Sequence, residues 1–323
     1  MENQISHLFT PFALFLFLFI LLKFAKVFRN DKIKLPPGPR QLPFIGNIHQ
    51  VVGSLPHHIL KDLANKYGPL MSLKLGEVSV FVVSSSEVAH DMMKTHDLNF
   101  VQRPLSLSTN IISYNSSDIA FSPYGDYWRQ MRRICTLEIF SSKSVQKFRF
   151  IREEEVLNFI NLISRNKGLT INLSKELFSL TSGITARAAF GKKINDKEVF
   201  AMTLKEIMKL SSGFSVADMY PSIKFLHVIS GVPSRLEKVH KEMDKILGRV
   251  INEHRDGRSD VDPQDLVDVL LKTQKDEYLD PPLMDNNIKA VISDIISAGK
   301  DVSSRNCNFI FTSSISGDWC MHY

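Results

Sequence analysis

A tryptophan and an arginine four positions apart form the most specific chemical pattern in the sequence. The segment FSPYGDYWRQMRR places Trp128 and Arg132 on one face of a predicted helix, because residues four apart lie one turn from each other. An indole N–H and a guanidinium on that face could together bind a carboxylate. The alternative, which the spacing by itself favours, is a helix with a solvated basic face and one buried tryptophan.

A second pattern lies at the end of an apolar helix. The helix predicted over residues 283–299 carries a stripe of isoleucine and valine at helical spacing. Its end holds Ala298 and Gly299, two small residues that would let a flat group approach the backbone. Asp301 follows them and could relay protons. The alternative, again favoured by spacing alone, is a core helix that ends at an ordinary glycine cap.

Other kinds of chemistry are poorly represented in this sequence. It contains no GxGxxG, phosphate-binding P-loop, GxSxG or HExxH signature. Three cysteines, Cys135, Cys307 and Cys320, are too few and too scattered for a disulfide framework or a zinc site. The net charge is +6, but the basic residues are mostly interspersed with acidic ones, which argues against a nucleic-acid partner.

The N-terminus predicts a membrane anchor. Residues 8–22 are uncharged and strongly apolar, and the stretch over 5–28, which includes Lys23 and Lys26 near its end, is long enough to span a bilayer. Lysines and an arginine follow the segment but do not precede it, so the positive-inside rule predicts a lumenal N-terminus and a cytosolic body. No small-residue cleavage site follows, which favours an uncleaved signal anchor over a signal peptide. The alternative is a hydrophobic helix or hairpin that lies on the membrane surface.

The elements that must position the two patterns are mostly helices. A proline-rich hinge follows the anchor, then a helix over 56–67, a β-hairpin over 71–83, a helix over 86–95 and a long loop over 100–125. The remaining helices are predicted over residues 126–138, 144–165, 174–190, 197–211, 233–255, 263–274 and 283–299. The fold class is therefore mainly α with a small β part.

Taken together and in order, these features resemble one family. The anchor, the Pro-Pro-Gly-Pro hinge, Tyr67-Gly68-Pro69, the segment through Trp128 and the Ala-Gly-x-Asp helix end are similar to plant microsomal cytochromes P-450. The resemblance is closest to the family 71 type, D subfamily, and extends from the N-terminus to about Asp301. It implies the N-terminal portion of the cytochrome P-450 fold, preceded by a transmembrane helix.

The resemblance assigns a cofactor and its contacts. The family holds a haem, and the positions of Trp128 and Arg132 are those that hydrogen-bond its propionates. Ala298 and Gly299 would lie against the cofactor. The iron ligand of the family is a cysteine thiolate, which favours cleavage of the O–O bond.

The resemblance also assigns a substrate, a partner and a place in the cell. Ile119, Phe121 and Ile295 would contact a small apolar, terpenoid-like substrate. Asp301 would manage protons, although Val302 stands where the family has a threonine and cannot form its hydrogen bond. Electrons would come from an NADPH-dependent cytochrome reductase that docks on a basic face. The expected location is the endoplasmic reticulum membrane, with a single span.

The resemblance ends after Ser304, and this changes the expected activity. The cysteine loop that supplies the iron ligand is absent from the sequence. The predicted organisation is an anchor over 1–30, a hinge over 31–50, a partial cytochrome P-450 domain over 51–304 and an unmatched tail over 305–323. We expect a chain of monooxygenase lineage that is inactive as given. The alternative is a non-catalytic anchored fragment that binds a reductase or a homologous partner, or is inert.

Overall fold

The protein is mainly helical and contains one small antiparallel sheet. The computed structural model describes residues 34–299 apart from 54, 192–196, 212–214, 224, 257–264 and 277. These residues form two compact units. One holds the described residues up to Phe100 together with Ser215–Leu226, and the other holds those of Val101–Phe214 and those from His227 onward. The predicted mainly α class with a small β part is confirmed.

Two strands and fifteen helices are named below in chain order, as far as the described residues extend. The strands are β1 (Leu70–Leu75) and β2 (Val78–Val83). The helices are α1 (Ile48–Val51), α2 (Pro56–Tyr67), α3 (Ser86–His90), α4 (Asp97–Phe100), α5 (Leu107–Ile112), α6 (Asp126–Ile134), α7 (Ser142–Lys147), α8 (Arg149–Arg165), α9 (Leu173–Phe190), α10 (Lys197–Ser211), α11 (Val216–Met219), α12 (Phe225–Ile229), α13 (Val232–Asp256), α14 (Leu266–Gln274) and α15 (285–299). π-Helical turns extend α3 over Asp91–Thr95 and α6 over Cys135–Ile139.

The hairpin in the first unit is built as its sequence pattern predicts. Strands β1 and β2 pair antiparallel, with Leu70 opposite Val83. Met71 and Leu73 are buried, and Leu60 and Leu63 of α2 pack against them. The apolar face of the hairpin therefore forms a small core with the first long helix.

The proline-rich segment lies along β1 rather than standing free as a spacer. The Ser72 N–H and hydroxyl donate to the carbonyl oxygens of Pro37 and Pro36, at 2.9 and 2.7 Å. The fully buried Asn47 side chain accepts the Lys74 N–H at 2.8 Å. At Gly46, where φ is +59°, a Cβ would lie 2.2 Å from the Lys74 carbonyl oxygen, so only glycine fits this close approach.

Two predictions in the second unit are wrong, whereas the helix predicted over 126–138 is confirmed in extent. The helix predicted over 144–165 is two helices, because Phe148 has a ψ of 10° and interrupts the helical path between α7 and α8. The helix predicted over 126–138 changes to π-helical bonding at Cys135. The long loop predicted over 100–125 contains α5, which starts at a capping box formed by Ser106 and Thr109.

The main core of the second unit joins six helices. Apolar residues of α6, α9, α10, α13, α14 and α15 form one buried cluster. Its fully buried members include Met131, Phe190, Leu204, Leu247 and Ile292. The apolar stripe predicted on the last helix is part of this cluster, so α15 is a core helix.

Side-chain caps fix the ends of the helices that frame this core. The Asn172 side chain accepts the Lys175 N–H at the start of α9, which ends at Gly191 with a left-handed φ of 66°. Asp265 caps α14, and its other carboxylate oxygen lies 3.0 Å from Nε2 of the buried His254 on α13. These polar groups set where each helix begins and how α13 meets α14.

None of the helices that the structure describes is long and apolar enough to cross a bilayer. The anchor predicted over residues 1–30 lies outside the described residues.

Candidate functional site

Trp128 and Arg132 occupy one face of α6, in the geometry that their spacing indicates. The guanidinium carbon of Arg132 lies 5.1 Å from the centroid of the Trp128 ring, a cation–π arrangement. The indole N–H donates to the carbonyl oxygen of Ile119 at 3.0 Å. The acceptor of the indole is therefore a loop carbonyl, and binding of a propionate by this N–H would require a change of acceptor.

Arg132 is the better placed of the two for an anion. Its side chain is exposed, and within the described part of the chain no carboxylate pairs with it. The neighbouring Arg129 is engaged by Asp126. The guanidinium of Arg132 therefore fits an external anion such as a propionate, whereas Trp128 contributes an aromatic surface beside it.

The loop between α5 and α6 has an unusual backbone. Tyr114, Asn115 and Ser116 have φ values of 51°, 61° and 55°, three consecutive left-handed residues without a glycine. Each such residue costs roughly 1–2 kcal/mol. The Ser117 hydroxyl donates to the Tyr114 carbonyl, and the Tyr127 hydroxyl donates to the Ser117 carbonyl at 2.6 Å. These hydrogen bonds offset the strain.

Charged groups from two helices hold the start of this loop. The Tyr114 hydroxyl donates to Asp244 of α13 at 3.0 Å, and Lys289 of α15 donates to the same carboxylate oxygen at 2.7 Å. The His240 ring packs against the edge of Tyr114 at 4.6 Å. Burial, followed by the charge of Asp244, raises the pKa of the Tyr114 hydroxyl above its usual range, so it remains a donor.

Two carboxyl groups, one of a buried and one of a half-buried residue, hold the end of the loop. One oxygen of Asp294, on α15, accepts the N–H groups of Ile119 and Ala120 at 2.9 and 3.0 Å. Asp118 is 2% exposed and accepts the N–H of Phe121 at 2.9 Å. Burial, then the charge of Asp118, raises the pKa of Asp294 to about 7. Burial also raises the pKa of Asp118 above its usual range, against the hydrogen bonds that Ser113 and Phe121 donate.

Sequence reasoning missed both acids, although it singled out their neighbours. An aspartate inside the apolar stripe of α15, directly before Ile295, is a polar residue at a core position. A residue of that kind needs a partner, because a buried charge without one is costly. The pattern could have identified Asp294, but nothing in the sequence pairs it with Asp118.

The predicted substrate residues are close neighbours of these two acids in sequence. Ile119 and Ile295 are half-buried and pack against the main core, while Phe121 is 40% exposed. Their contact with a substrate stays a prediction.

The predicted cofactor residues of α15 lie at its end. Ala298 is exposed. A Cβ at Gly299 would lie 3.1 Å from both Cγ2 and Oγ1 of Thr185 on α9, so a small residue suits this helix contact. Asp301 and Val302 lie outside the described residues.

Cys135 is poorly suited to bind a metal ion. It lies in the π-helical turn after α6 and is 3% exposed. Burial, with a smaller effect from the charge of Asp294, raises the pKa of its thiol to about 12. Since the thiolate is the form that binds metals, this environment opposes ligation. Cys307 and Cys320 lie outside the described residues.

An open groove of about 1060 Å³ lies between α6, α7 and α14. Five basic side chains line it, together with the acids Glu138, Asp265, Asp276 and Asp280. The basic residues are Arg129, Arg133, Lys143, Lys147 and Lys272. The first four lie on α6 and α7, with Glu138 between them in sequence, and are called the basic wall of the groove.

Comparison with known proteins identifies the class. Residues 36–314 match the family described as cytochrome P-450, and the chain therefore belongs to the cytochrome P-450 family, whose cofactor is haem. A zebra fish cytochrome P-450 solved with progesterone has a TM-score of 0.68 at 21% identity, over 80% of this chain and 60% of the other. That likeness concerns the fold.

The similar curated proteins confirm the resemblance to the plant family 71 type. The chain is 50% identical to cytochrome P-450 71D10 of Glycine max over 316 residues, 92% of this chain and 61% of the relative. It is 46% identical to premnaspirodiene oxygenase of Hyoscyamus muticus over 307 residues, 93% of this chain and 61% of the relative. Tabersonine 6,7-epoxidase isoform 2 of Catharanthus roseus is 46% identical over 329 residues, 97% of this chain and 62% of the relative. The chain thus spans a little over three fifths of the length of these relatives.

The left-handed run in the loop gives a test of its strain. The Ser116 hydroxyl is buried and has no partner among the described protein groups, and its φ is 55°. We expect Ser116→Gly to raise the free energy of unfolding by about 1 kcal/mol. The relief of the left-handed strain and of the unbonded hydroxyl exceeds the entropic cost of glycine, roughly 0.5–1 kcal/mol. The midpoint of urea unfolding, followed by circular dichroism, measures this change.

Ser116→Ala is the matched control, because it removes the hydroxyl and keeps the strained Cβ. Its midpoint should lie between those of the parent chain and Ser116→Gly. A lower midpoint for Ser116→Gly than for the parent would contradict the strain that we assign to this residue.

Proposed function

We propose that the chain derives from a haem-thiolate monooxygenase that uses O2 and electrons from an NADPH-dependent reductase to hydroxylate small apolar, terpenoid-like substrates. The observation that carries this proposal is the family match over residues 36–314, with an oxygenase and an epoxidase among the similar proteins. The bound haem, with its thiolate ligand, would supply oxygen activation. The roles of individual residues follow from where they lie.

The described residues fit one side of a haem site. Arg132 offers a guanidinium that pairs with no carboxylate of the described residues and lies over the Trp128 ring. We assign Ala298 and Gly299 to the cofactor surface from the family resemblance. Ala298 is small and exposed, which leaves room for a flat group, whereas Gly299 packs close to Thr185. Ile119, Phe121 and Ile295 would exclude water from the substrate and orient it.

Proton handling depends on residues after α15. Asp301 would hold and pass a proton toward the reacting oxygen, as an acid beside the cofactor can. Val302 offers no hydroxyl at the next position, where the family has a threonine. We propose that an enzyme with this valine would transfer protons less efficiently.

The 323 residues by themselves are proposed not to form the iron–thiolate bond. Cys135 is buried with a raised thiol pKa, and neither Cys307 nor Cys320 lies in a sequence like the family's cysteine loop. On this view the chain is non-catalytic when alone, and the alternatives are an inert fragment or one that binds a reductase or a homologous partner.

The first experiment is a carbon monoxide difference spectrum. The chain is expressed in membranes with haem supplied, then reduced and exposed to carbon monoxide. We expect no strongly red-shifted Soret band, because burial raises the pKa of the Cys135 thiol and neither Cys307 nor Cys320 lies in a sequence like the family's cysteine loop. Premnaspirodiene oxygenase, expressed in the same way, is the positive control, and immunoblotting verifies that both proteins are present.

A red-shifted band from the 323-residue chain would refute the non-catalytic proposal. The Cys135→Ser variant then identifies the ligand. Loss of the band in that variant would assign the iron to Cys135, whereas its survival would assign the iron to Cys307 or Cys320.

We further propose the organisation 1–30 anchor, 31–50 hinge, 51–304 cytochrome P-450 domain and 305–323 tail, with the body in the cytosol and the anchor in the endoplasmic reticulum membrane. The apolar run over residues 5–28 supports an anchor.

On a density gradient the chain should float with microsomes, even after alkaline carbonate treatment. Deletion of residues 1–30 should abolish flotation, and aggregates would sediment instead. Flotation of the deleted chain would contradict the proposed anchor.

A reductase is the proposed protein partner, and the basic wall of the groove supports this. Arg133, Lys143 and Lys147 would face an acidic surface, and exposed charge pairs contribute roughly 0.2–1 kcal/mol each. We expect Arg133→Glu to weaken reductase binding about twofold to fivefold, and added salt to weaken binding by the parent chain. Surface plasmon resonance with purified reductase measures both effects.

Arg165→Glu is the matched control, because Arg165 is exposed at the end of α8 and does not line the groove. Equal affinities for the two charge-reversed chains would exclude the groove as the docking surface.

A further inference from the structure

The buried Asp118 and the half-buried Asp294 bind three successive peptide groups of one loop. Asp294 accepts the N–H groups of residues 119 and 120, and Asp118 accepts that of Phe121. The carbonyl of Ile119 is bound from the other side by the Trp128 indole. The segment 119–121 is therefore held between α6 and α15 by side chains, and two of its residues belong to the proposed substrate surface.

The two acids lie close together, because they accept the N–H groups of three successive residues. Besides burial, the charge of Asp118 raises the pKa of Asp294. Two carboxylates in contact inside a protein repel strongly, so such pairs retain one shared proton. The proton supplies a donor between two groups that otherwise only accept hydrogen bonds.

The groups around the two acids do not replace the shared proton. From α6 and its π-helical extension, Tyr127 and Cys135 face the pair, and both have raised pKa values, which keeps them neutral. From the loop, Ser113 donates to Asp118. The lysine of α15, Lys289, binds Asp244 instead.

We propose that Asp118 and Asp294 share one proton and act together as a positioning device, which fixes residues 119–121 against α15. The importance of this device for substrate binding rests on the proposed function, whereas the shared proton and the fixed loop do not. Ile119 and Phe121 make apolar contacts. The acid pair adds to these a second constraint, which depends on pH.

The pH dependence has a definite direction. The pKa of Asp294 in the folded chain is raised to about 7, above the usual range of a carboxyl group. The stabilisation is therefore fully present below the ordinary carboxyl pKa and is lost as pH rises through about 7. Each further pH unit lowers the protonated population about tenfold. The loop should be held firmly at pH 6 and loosely at pH 8.

Trp128 provides a direct reporter of the loop. The chain has two tryptophans, so Trp319→Phe leaves Trp128 as the single fluorophore. Because its indole donates to Ile119, we expect the emission maximum to shift between pH 6 and 8, with one midpoint near 7. Hydrogen exchange over residues 113–122, corrected for intrinsic rates, should show about tenfold lower protection at pH 8 than at pH 6.

Conservative variants separate the shared proton from simple structural support. In Asp294→Asn the amide can accept the same two N–H groups and donate to Asp118, which imitates the protonated pair at every pH. Asp118→Asn imitates it from the other side. Both variants, in the Trp319→Phe background, should keep the low-pH emission maximum up to pH 8. Asp294→Ala should show the loosened loop at all pH values.

Two controls exclude other titrating groups. His240 packs on Tyr114 and could titrate in the same range, so His240→Gln must retain the transition. Asp276→Asn removes an exposed acid elsewhere and must also retain it. A transition that persists in both Asp294→Asn and Asp118→Asn, or that is lost in His240→Gln, would overturn the proposal. None of these measurements uses haem, so they remain decisive even if the monooxygenase proposal fails.

Discussion

The peptide groups of residues 113–122 have no helix or sheet in which to form all their hydrogen bonds, yet much of this loop is buried. Buried N–H and C=O groups must be bonded, and here side chains supply the partners. Asp294 and Asp118 accept the N–H groups, while Tyr127 and Trp128 donate to the carbonyls. The loop conformation therefore depends on four polar side chains from three segments of the chain.

Because the loop needs these hydrogen-bond partners, polar side chains of the surrounding helices point toward it. Asp294 lies on α15 at a position that an apolar residue would otherwise fill, and Asp244 on α13 holds Tyr114 together with Lys289. Asp294 accepts two N–H groups of the loop, and Asp244 accepts the Tyr114 hydroxyl and the Lys289 ammonium, so both acids have hydrogen-bond donors. The same bonds bring Ile119 next to Trp128 and bring Ala120 next to α15. The surface proposed for the substrate and the face proposed for the cofactor thus share one network.

The family membership gives this network a functional setting. A cytochrome P-450 must hold a flat cofactor and a substrate beside each other, and Arg132 and the end of α15 are the surfaces that we propose for the cofactor. Trp128 connects Arg132 to the loop, since its ring lies beside the guanidinium and its N–H donates to the Ile119 carbonyl. A change in the loop can therefore reach the proposed cofactor surface through one side chain.

The sequence by itself determined the class and most of the helices. Capping residues, glycines and apolar periodicity depend on local spacing, so α2, α9 and α10 were predicted to within a residue at each end. The family followed from a few specific motifs around Trp128 and the hinge. Local spacing also placed Trp128 and Arg132 on one face, because a helix fixes the relation of residues four apart.

Only the tertiary structure decided which groups meet across the chain. Asp118 and Asp294 lie 176 positions apart in sequence, and no periodicity connects them. The sequence pattern also did not predict three local features. These are the acceptor of the Trp128 indole, the left-handed run at Tyr114–Ser116 and the break at Phe148. Hydrogen bonding between distant segments depends on how the helices pack, and packing is a property of the whole core rather than of any one stretch of sequence.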